Sequence, residues 1–261
     1  KYGLSKNIKI KGIPVKYFPA NFVWKERMNK IVGMWGGGIL PTLTKAYLLT
    51  KKPEYAAAII RILNRFAEVF PHYPLAFHNE VAPISREKFL EMAKKHEPVG
   101  EHGWLGPSRL SAGSANFRPP EEGYRFFNLA KAYMAVTDSG ALKGKEKEFI
   151  KKNLLEEGKW LIYSYGAKQC VGNGIGIYAP GILALGIALD DNYLKSGFLN
   201  ILEEFLYNEN FYDGISTEGS ANYAGMVGGM YKLFNEASLI NNDNYLKEHP
   251  FLKSVGKTIP T

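Results

Sequence analysis

Residues 181–205, GILALGIALDDNYLKSGFLNILEEF, contain two helical patterns of opposite character. The first nine residues, 181–189, are small or aliphatic, and Asp190 follows them. The second pattern places bulky apolar residues at the spacing that makes one stripe on a helix. Its members are Leu194, Phe198, Ile201, Leu202 and Phe205. This part of the sequence therefore predicts a pair of helices, one rich in small side chains and one with a bulky apolar face.

The same combination occurs twice earlier in the chain. Two further apolar stripes are formed by Tyr55, Ile59, Ile62, Leu63 and Phe66, and by Ile150, Leu154, Leu161, Ile162 and Tyr165. A segment rich in small residues precedes each stripe, TLTKAYLLT at 42–50 and NLAKAYMAVT at 128–137. Repeated helix pairs stack into a solenoid or close into a ring, because one pair cannot bury its apolar faces alone.

This repetition predicts an all-α fold, an incomplete (α/α) toroid of antiparallel helix pairs in a single domain spanning residues 1–261. The predicted helices are 42–50, 54–70, 121–137, 145–165, 175–189, 192–208 and 219–240. We expect the small-residue helices on the inside, because small side chains let backbones approach closely and leave a groove. Little β-sheet is expected, because β-like stretches such as residues 8–15 are short and contain lysine.

Composition restricts the classes of partner. The chain of 261 residues is 46% hydrophobic, enough for a sizeable core, and its formal charge of +8 favours acidic partners. The lysines are spread along helix faces, as at Lys151 and Lys159, which argues against nucleic-acid binding.

Cys170 is the only cysteine, which excludes an internal disulfide and a thiolate zinc cluster, and no metal or cofactor is predicted. No apolar run reaches the roughly 20 residues of a membrane helix, so no membrane span is predicted.

Residues 71–120 break the helical pattern. They contain four of the five histidines and one predicted helix, near residues 86–95. A loop region of this length in a compact domain is usually functional or mobile.

Three other segments carry more polar residues than packing requires. In EEGYRFFNLAKAY (121–133), Arg125 and Asn128 share a helix face, or Arg125 pairs with the glutamates at the helix start. In QCVGNGIGIYAPG (169–181), Asn173 either caps a helix or presents its amide to a ligand. In YDGISTEGSANYAGMVGGMY (212–231), Tyr223 either projects its hydroxyl into a groove or is a half-buried aromatic residue near a capping Glu218.

Taken in order, these segments resemble the N-terminal domain of heparinase II/III-type polysaccharide lyases and related alginate lyases, over about residues 22–241. EEGYRFFNLAKAY is similar to the family's Glu-Ala-Gly-x-Arg stretch followed by an Ala-Tyr pair. GNGIGIYAPGILALGIAL is similar to its Asn-His or Asn-Trp helix start, and DGISTEGSANYAGM to its Asp-Gly, Glu-x-Ser, x-Tyr-His segment. The resemblance implies β-elimination on an acidic, uronic-acid polysaccharide, no cofactor, a secreted or periplasmic protein, and a β-sandwich domain that follows the toroid in the same protein.

The resemblance also implies residue roles. Tyr223 matches the family's catalytic tyrosine, Asn173 the asparagine that contacts the substrate carboxyl group, and Arg125 an arginine of the toroid groove. We expect Asn128 and Glu218 to help bind substrate.

Two positions depart from the family. Gly174 and Ala224 stand where the family has histidines, which puts activity or substrate class in doubt. His78 and His102, in the segment 71–120, are the candidates to replace the missing base.

The implied mechanism removes the proton α to a uronate carboxyl group. Asn173 and a cation such as Arg125 would offset the developing negative charge, and Tyr223 would donate a proton to the leaving glycosidic oxygen. A toroidal glycoside hydrolase is one alternative, because hydrolysis needs two carboxylates. The available acids are Asp190, Asp191, Asp213 and Glu218, of which the first two stand at a helix end where turn chemistry explains them. A toroid that binds glycans without cleaving them is the other alternative, and the missing histidines favour it.

Overall fold

The computed structural model describes residues 6–10, 13–17, 30–33, 37–72, 75–77, 80–82, 87, 119–162 and 173–208. Within these residues the chain is mainly helical. The helices are α1 (Ile39–Thr50), α2 (Pro53–Val69), α3 (Pro119–Asp138), α4, α5 (Asn173–Leu189) and α6 (Asn192–Asn208). Helix α4 consists of three consecutive segments, Gly144–Ile150, a π-helical turn at Lys151–Leu155, and Glu156–Leu161. A 3₁₀ turn, Phe70–His72, follows α2.

The predicted helices at 42–50, 54–70, 121–137, 175–189 and 192–208 are confirmed, with small differences at their ends. The helix predicted at 145–165 is confirmed as α4 through Leu161, but the sequence did not indicate its π-helical turn. The helix predicted at 219–240 lies outside the described residues, as does all but Glu87 of the one near 86–95.

The β-structure among the described residues consists of two short antiparallel hairpins. In the first, β1 (Lys6–Ile10) pairs with β2 (Ile13–Tyr17), with Lys6 opposite Tyr17 and Ile10 opposite Ile13. In the second, β3 (Leu75–Phe77) pairs with β4 (Glu80–Ala82). Residues 8–10 and 13–15 of the β-like stretch lie in the first hairpin. These are two-stranded ribbons, so the sheet content is small, as the sequence predicts.

Two helix pairs are joined by the same kind of corner. Lys51 between α1 and α2 has φ 56°, and Asp190 between α5 and α6 has φ 54°, so each corner begins with a non-glycine residue in the left-handed region. The Lys51 amide donates to the Tyr47 carbonyl at 2.8 Å, and the Asp190 amide donates to the Ile187 carbonyl at 3.2 Å. In both places a connection of two residues leads directly into the next helix.

The bulky stripes form the core that the sequence predicts. Ile59, Leu63 and Phe66 of α2 are buried, as are Leu194 and Phe198 of α6. On α4 and just beyond it the buried members are Ile150, Leu154, Leu161 and Ile162. The rings of Phe70 and Phe126 meet edge to face with centroids 5.3 Å apart, which connects the end of α2 to α3.

The small-residue helices α1, α3 and α5 contact one another in chain order, and the contact between α3 and α5 is the most extensive in the described structure. The two backbones cross at Gly123 and Gly181, where a Cβ atom on Gly181 would lie 2.9 Å from the Gly123 Cα. Small residues therefore bring these helices together, as the sequence predicts. Residues 122–130 of α3 are all buried, so this part of α3 presents no open face.

Candidate functional site

The first half of α3 carries a row of three buried polar side chains. Glu122, Arg125 and Asn128 are spaced three residues apart, which places them along one side of the helix. Arg125 Nη1 lies 3.8 Å from Glu122 Oε2, and the two side chains are 0% and 1% exposed. A charge in an apolar interior needs an opposite charge nearby, so the pairing predicted for a helix start is present here in buried form.

Asn128 connects α3 to a distant part of the chain. Its Nδ2 donates a hydrogen bond of 3.0 Å to the backbone carbonyl of Val32. The next residue, Gly33, has φ 89°, and a Cβ atom there would lie 2.9 Å from Pro41 Cγ. The Asn128 amide thus holds a tight glycine turn just before α1, which is a structural task that the sequence did not indicate. Its predicted part in substrate binding stays a prediction.

The structure brings the helices of two predicted site residues together. Arg125 follows Gly123 by two residues on α3, and Asn173 is the first residue of α5, the helix that crosses α3 at Gly181. Eight residues of helix separate Asn173 from that crossing, a distance of about 12 Å. Asn173 lies at the N-terminus of this helix, and its capping and ligand-binding interpretations both stay predictions. The side chain of Asn173 is outside the described part of the structure.

The four remaining predicted site residues also fall outside the description. They are Tyr223, Glu218, His78 and His102. Their predicted roles therefore stay predictions, and so does the toroid groove in which the resemblance places Arg125. What the structure adds is that Arg125 is fully buried beside Glu122.

Two of the acids considered for hydrolysis have structural tasks. Asp190 occupies the left-handed corner position, and its Oδ1 lies 3.0 Å from Lys195 Nζ. Asp191 Oδ1 accepts hydrogen bonds from the amides of Tyr193 and Leu194, which caps α6. The hydrogen bond from Lys159 lowers the pKa of Asp191, the cap amides lower it further, and burial opposes them. The predicted turn chemistry is confirmed for both acids, whereas Asp213 lies outside the described residues.

Tyr133 is a buried titratable residue on α3. It is 2% exposed, and burial, together with the carboxylate of Glu148 on α4, raises its pKa to about 12. A phenol with so high a pKa stays protonated at neutral pH, so Tyr133 is not a general base there. No sequence signal predicts this, because Glu148 belongs to another helix.

Among the described residues there is no group of three or more histidine, cysteine, aspartate or glutamate side chains that could hold a metal ion. No helix within the described ranges is long and apolar enough to cross a membrane. A scan against protein-family models and a search of curated proteins find no match to this chain.

Proposed function

We propose that this chain is the helical domain of a polysaccharide lyase that cleaves an acidic polysaccharide by β-elimination. The observation that supports the proposal best is the close crossing of α3 and α5 at Gly123 and Gly181. It joins the helix that carries Arg125 to the helix that begins at Asn173, and both residues match the lyase pattern. The incomplete toroid, the secreted or periplasmic location and a following β-sandwich domain belong to the same proposal.

The buried position of Arg125 refines its role in this proposal. A guanidinium that is 0% exposed and paired with Glu122 does not meet a polymer directly. We assign it a positioning role, in which the pair fixes the rotation of α3 against α5. Asn173 then contacts the substrate carboxyl group, and its amide stabilises the negative charge that develops when the candidate base, His78 or His102, accepts the α proton. Tyr223 donates a proton to the leaving glycosidic oxygen.

The hydrolase alternative is less well supported by the described residues. Asp191 is engaged with Lys159 and with the first turn of α6, and Asp190 occupies a corner. Neither acid stands opposite a second carboxylate across a cleft in this part of the chain. We therefore favour elimination over hydrolysis.

The test is prolonged incubation of the chain with alginate, heparan sulfate, hyaluronan or chondroitin. We expect binding that weakens as salt rises, and slow release of products that absorb in the ultraviolet because they carry an unsaturated uronate. Turnover should be slow because Gly174 and Ala224 replace histidines, and each missing acid–base group costs about 100-fold to 10,000-fold. Tyr223→Phe should abolish product release, whereas the control Tyr193→Phe, at an exposed tyrosine, should retain it.

Three results would contradict the proposal. New reducing ends without ultraviolet absorbance would indicate a hydrolase. Binding without any product would indicate a glycan-binding protein that does not cleave. Product release that survives Tyr223→Phe would remove the catalytic assignment.

A further inference from the structure

An open groove of about 510 Å³ runs along the face of α2 that points away from its buried stripe. Pockets that bind small molecules have volumes of about 300–1,000 Å³, so the groove can hold one or two sugar units. Its floor is a stripe of α2 residues at helical spacing that includes Ile60, Arg61, Asn64, Arg65 and Glu68, and Glu146 of α4 completes the wall.

Most of the polar groups in this groove already have partners. Asn64 Nδ2 donates a hydrogen bond to Glu146 Oε1, which fixes the wall between α2 and α4. Arg65 Nη1 lies 2.8 Å from Glu68 Oε2. Arg61 differs from them, because its exposed guanidinium makes no hydrogen bond or ion pair in the described part of the chain. The groove therefore has one available cation beside carboxylate and amide oxygens.

This arrangement selects among acidic ligands. A duplex nucleic acid carries about one phosphate charge per 1.7 Å, a higher charge density than the one carboxylate per sugar of a polyuronate, so Glu68 and Glu146 would repel the nucleic acid more strongly. A uronic-acid sugar has one carboxylate and several hydroxyls. Its carboxylate matches Arg61, because a guanidinium binds a carboxylate through two parallel hydrogen bonds. Its hydroxyls match the acceptor oxygens of Asn64 and Glu146.

We propose that this groove is a surface site for one acidic sugar unit of a polysaccharide, with Arg61 holding the carboxylate and the apolar edge of Ile60 contacting the ring. The site lies on α2 and α4, apart from the crossing of α3 and α5. It goes beyond the proposed cleavage and does not require it. In a long polymer, a second contact of this kind raises overall affinity, because the second binding event is intramolecular.

The experiment is a titration of the isotope-labelled chain with an alginate tetrasaccharide, followed through the backbone amide resonances of residues 57–68. We expect saturable shifts in these resonances, and no shifts with maltotetraose, a neutral sugar of the same length. Arg61→Ala should weaken this binding about fivefold or more, because one charge-assisted contact is lost. Arg61→Lys should lie between, because an ammonium does not bind a carboxylate in two-point fashion.

Lys45→Ala is the matched control. Lys45 is an exposed cation in the middle of α1, so its removal changes the net charge equally without touching the groove. Its effect should be less than about twofold. Equal losses for Arg61→Ala and Lys45→Ala, or saturation of the protein without shifts in residues 57–68, would overturn the proposal. Tighter binding of a DNA oligonucleotide, with the same dependence on Arg61, would overturn the choice of ligand.

The groove assignment and the lyase proposal can fail separately. Shifts at residues 57–68 that depend on Arg61, in a chain that releases no unsaturated product, leave the groove assignment standing and remove the lyase. Cleavage by a chain whose 57–68 resonances do not respond would support the lyase and remove the groove assignment.

Discussion

Lys159 of α4 and Asp191 at the start of α6 form an ion pair between two helices that are not consecutive in the chain. The same carboxylate accepts hydrogen bonds from the amides of Tyr193 at 3.0 Å and Leu194 at 3.2 Å. One side chain therefore both caps α6 and fastens it to α4.

Asp191→Ala should lower the free energy of unfolding by about 1–2 kcal/mol, because it removes the cap and the ion pair together. Asp191→Asn keeps a capping side chain and should cost about 1 kcal/mol or less, since Lys159 is partly exposed. Urea unfolding measures both values. Asp190→Asn is the control, because Asp190 is 93% exposed and asparagine tolerates the left-handed corner. Equal losses at positions 190 and 191 would contradict this account.

The Asp191 interaction should depend on pH in acid. Its pKa in the folded protein lies below the ordinary value of 3.8, so its contribution to stability is complete above that value and is lost as the pH falls through the folded pKa. The stability difference between wild type and Asp191→Asn should therefore shrink as the pH is lowered below about 4. A difference that stays constant from neutral pH down to the acid transition would show that the charge contributes nothing.

The glycine crossing of α3 and α5 should not accept a side chain. Gly181→Ala places a Cβ atom against the Gly123 carbonyl group, 2.7 Å from its carbon, so it should destabilise by about 1–3 kcal/mol or more, although alanine is the better helix former. Gly186→Ala is the graded comparison, because a Cβ atom there would lie 3.0 Å from Leu194 Cβ and 3.1 Å from the Lys195 amide nitrogen, a milder overlap. It should cost less. Thermal unfolding that ranks the two variants in the reverse order would refute the close crossing.

The buried pair of Glu122 and Arg125 should behave as a unit. Glu122→Leu or Arg125→Met alone leaves a buried charge and should cost about 3–5 kcal/mol, whereas the double variant should cost far less than the sum. A double-mutant cycle by urea unfolding measures the coupling. Additive losses would mean that the two groups do not interact. The double variant, if it folds, also shows whether glycan binding needs the Arg125 charge.

Tyr133 should destabilise the folded chain at alkaline pH. Its folded pKa of about 12 lies above the ordinary value of 10.0, so its favourable contribution is complete below pH 10 and is lost as the pH rises toward 12. Tyr133→Phe should therefore unfold less steeply with rising pH than wild type over that range. Tyr193→Phe, at an exposed tyrosine, is the control. Identical alkaline profiles for wild type and Tyr133→Phe would contradict the burial of this hydroxyl.

The helices were predictable because their signals are local. The stripe of Ile59, Leu63 and Phe66 fixes the buried face of α2 without knowledge of its partner. The structural roles of Asp190 and Asp191 at the corner were likewise predictable from the sequence, because turn and capping chemistry acts within a few residues.

The site was less predictable because its interactions cross long distances in sequence. An Arg–Glu pair three residues apart looks the same whether its helix is exposed or enclosed, so the burial of Arg125 was not visible. The Asn128 amide and the Val32 carbonyl are 96 residues apart, and only the packed structure shows that they meet.

The π-helical turn at Lys151–Leu155 sets the rotational phase of the rest of α4. A π turn is an α-helix with one residue added, and one residue corresponds to about 100° around the helix axis. If the same residues formed a regular α-helix, Lys159 would turn by about 100° away from Asp191, while Ile150 kept its direction. The π turn therefore sets the direction of the side chains that follow it, so that a single helix presents its first half to α2 and its second half to the start of α6.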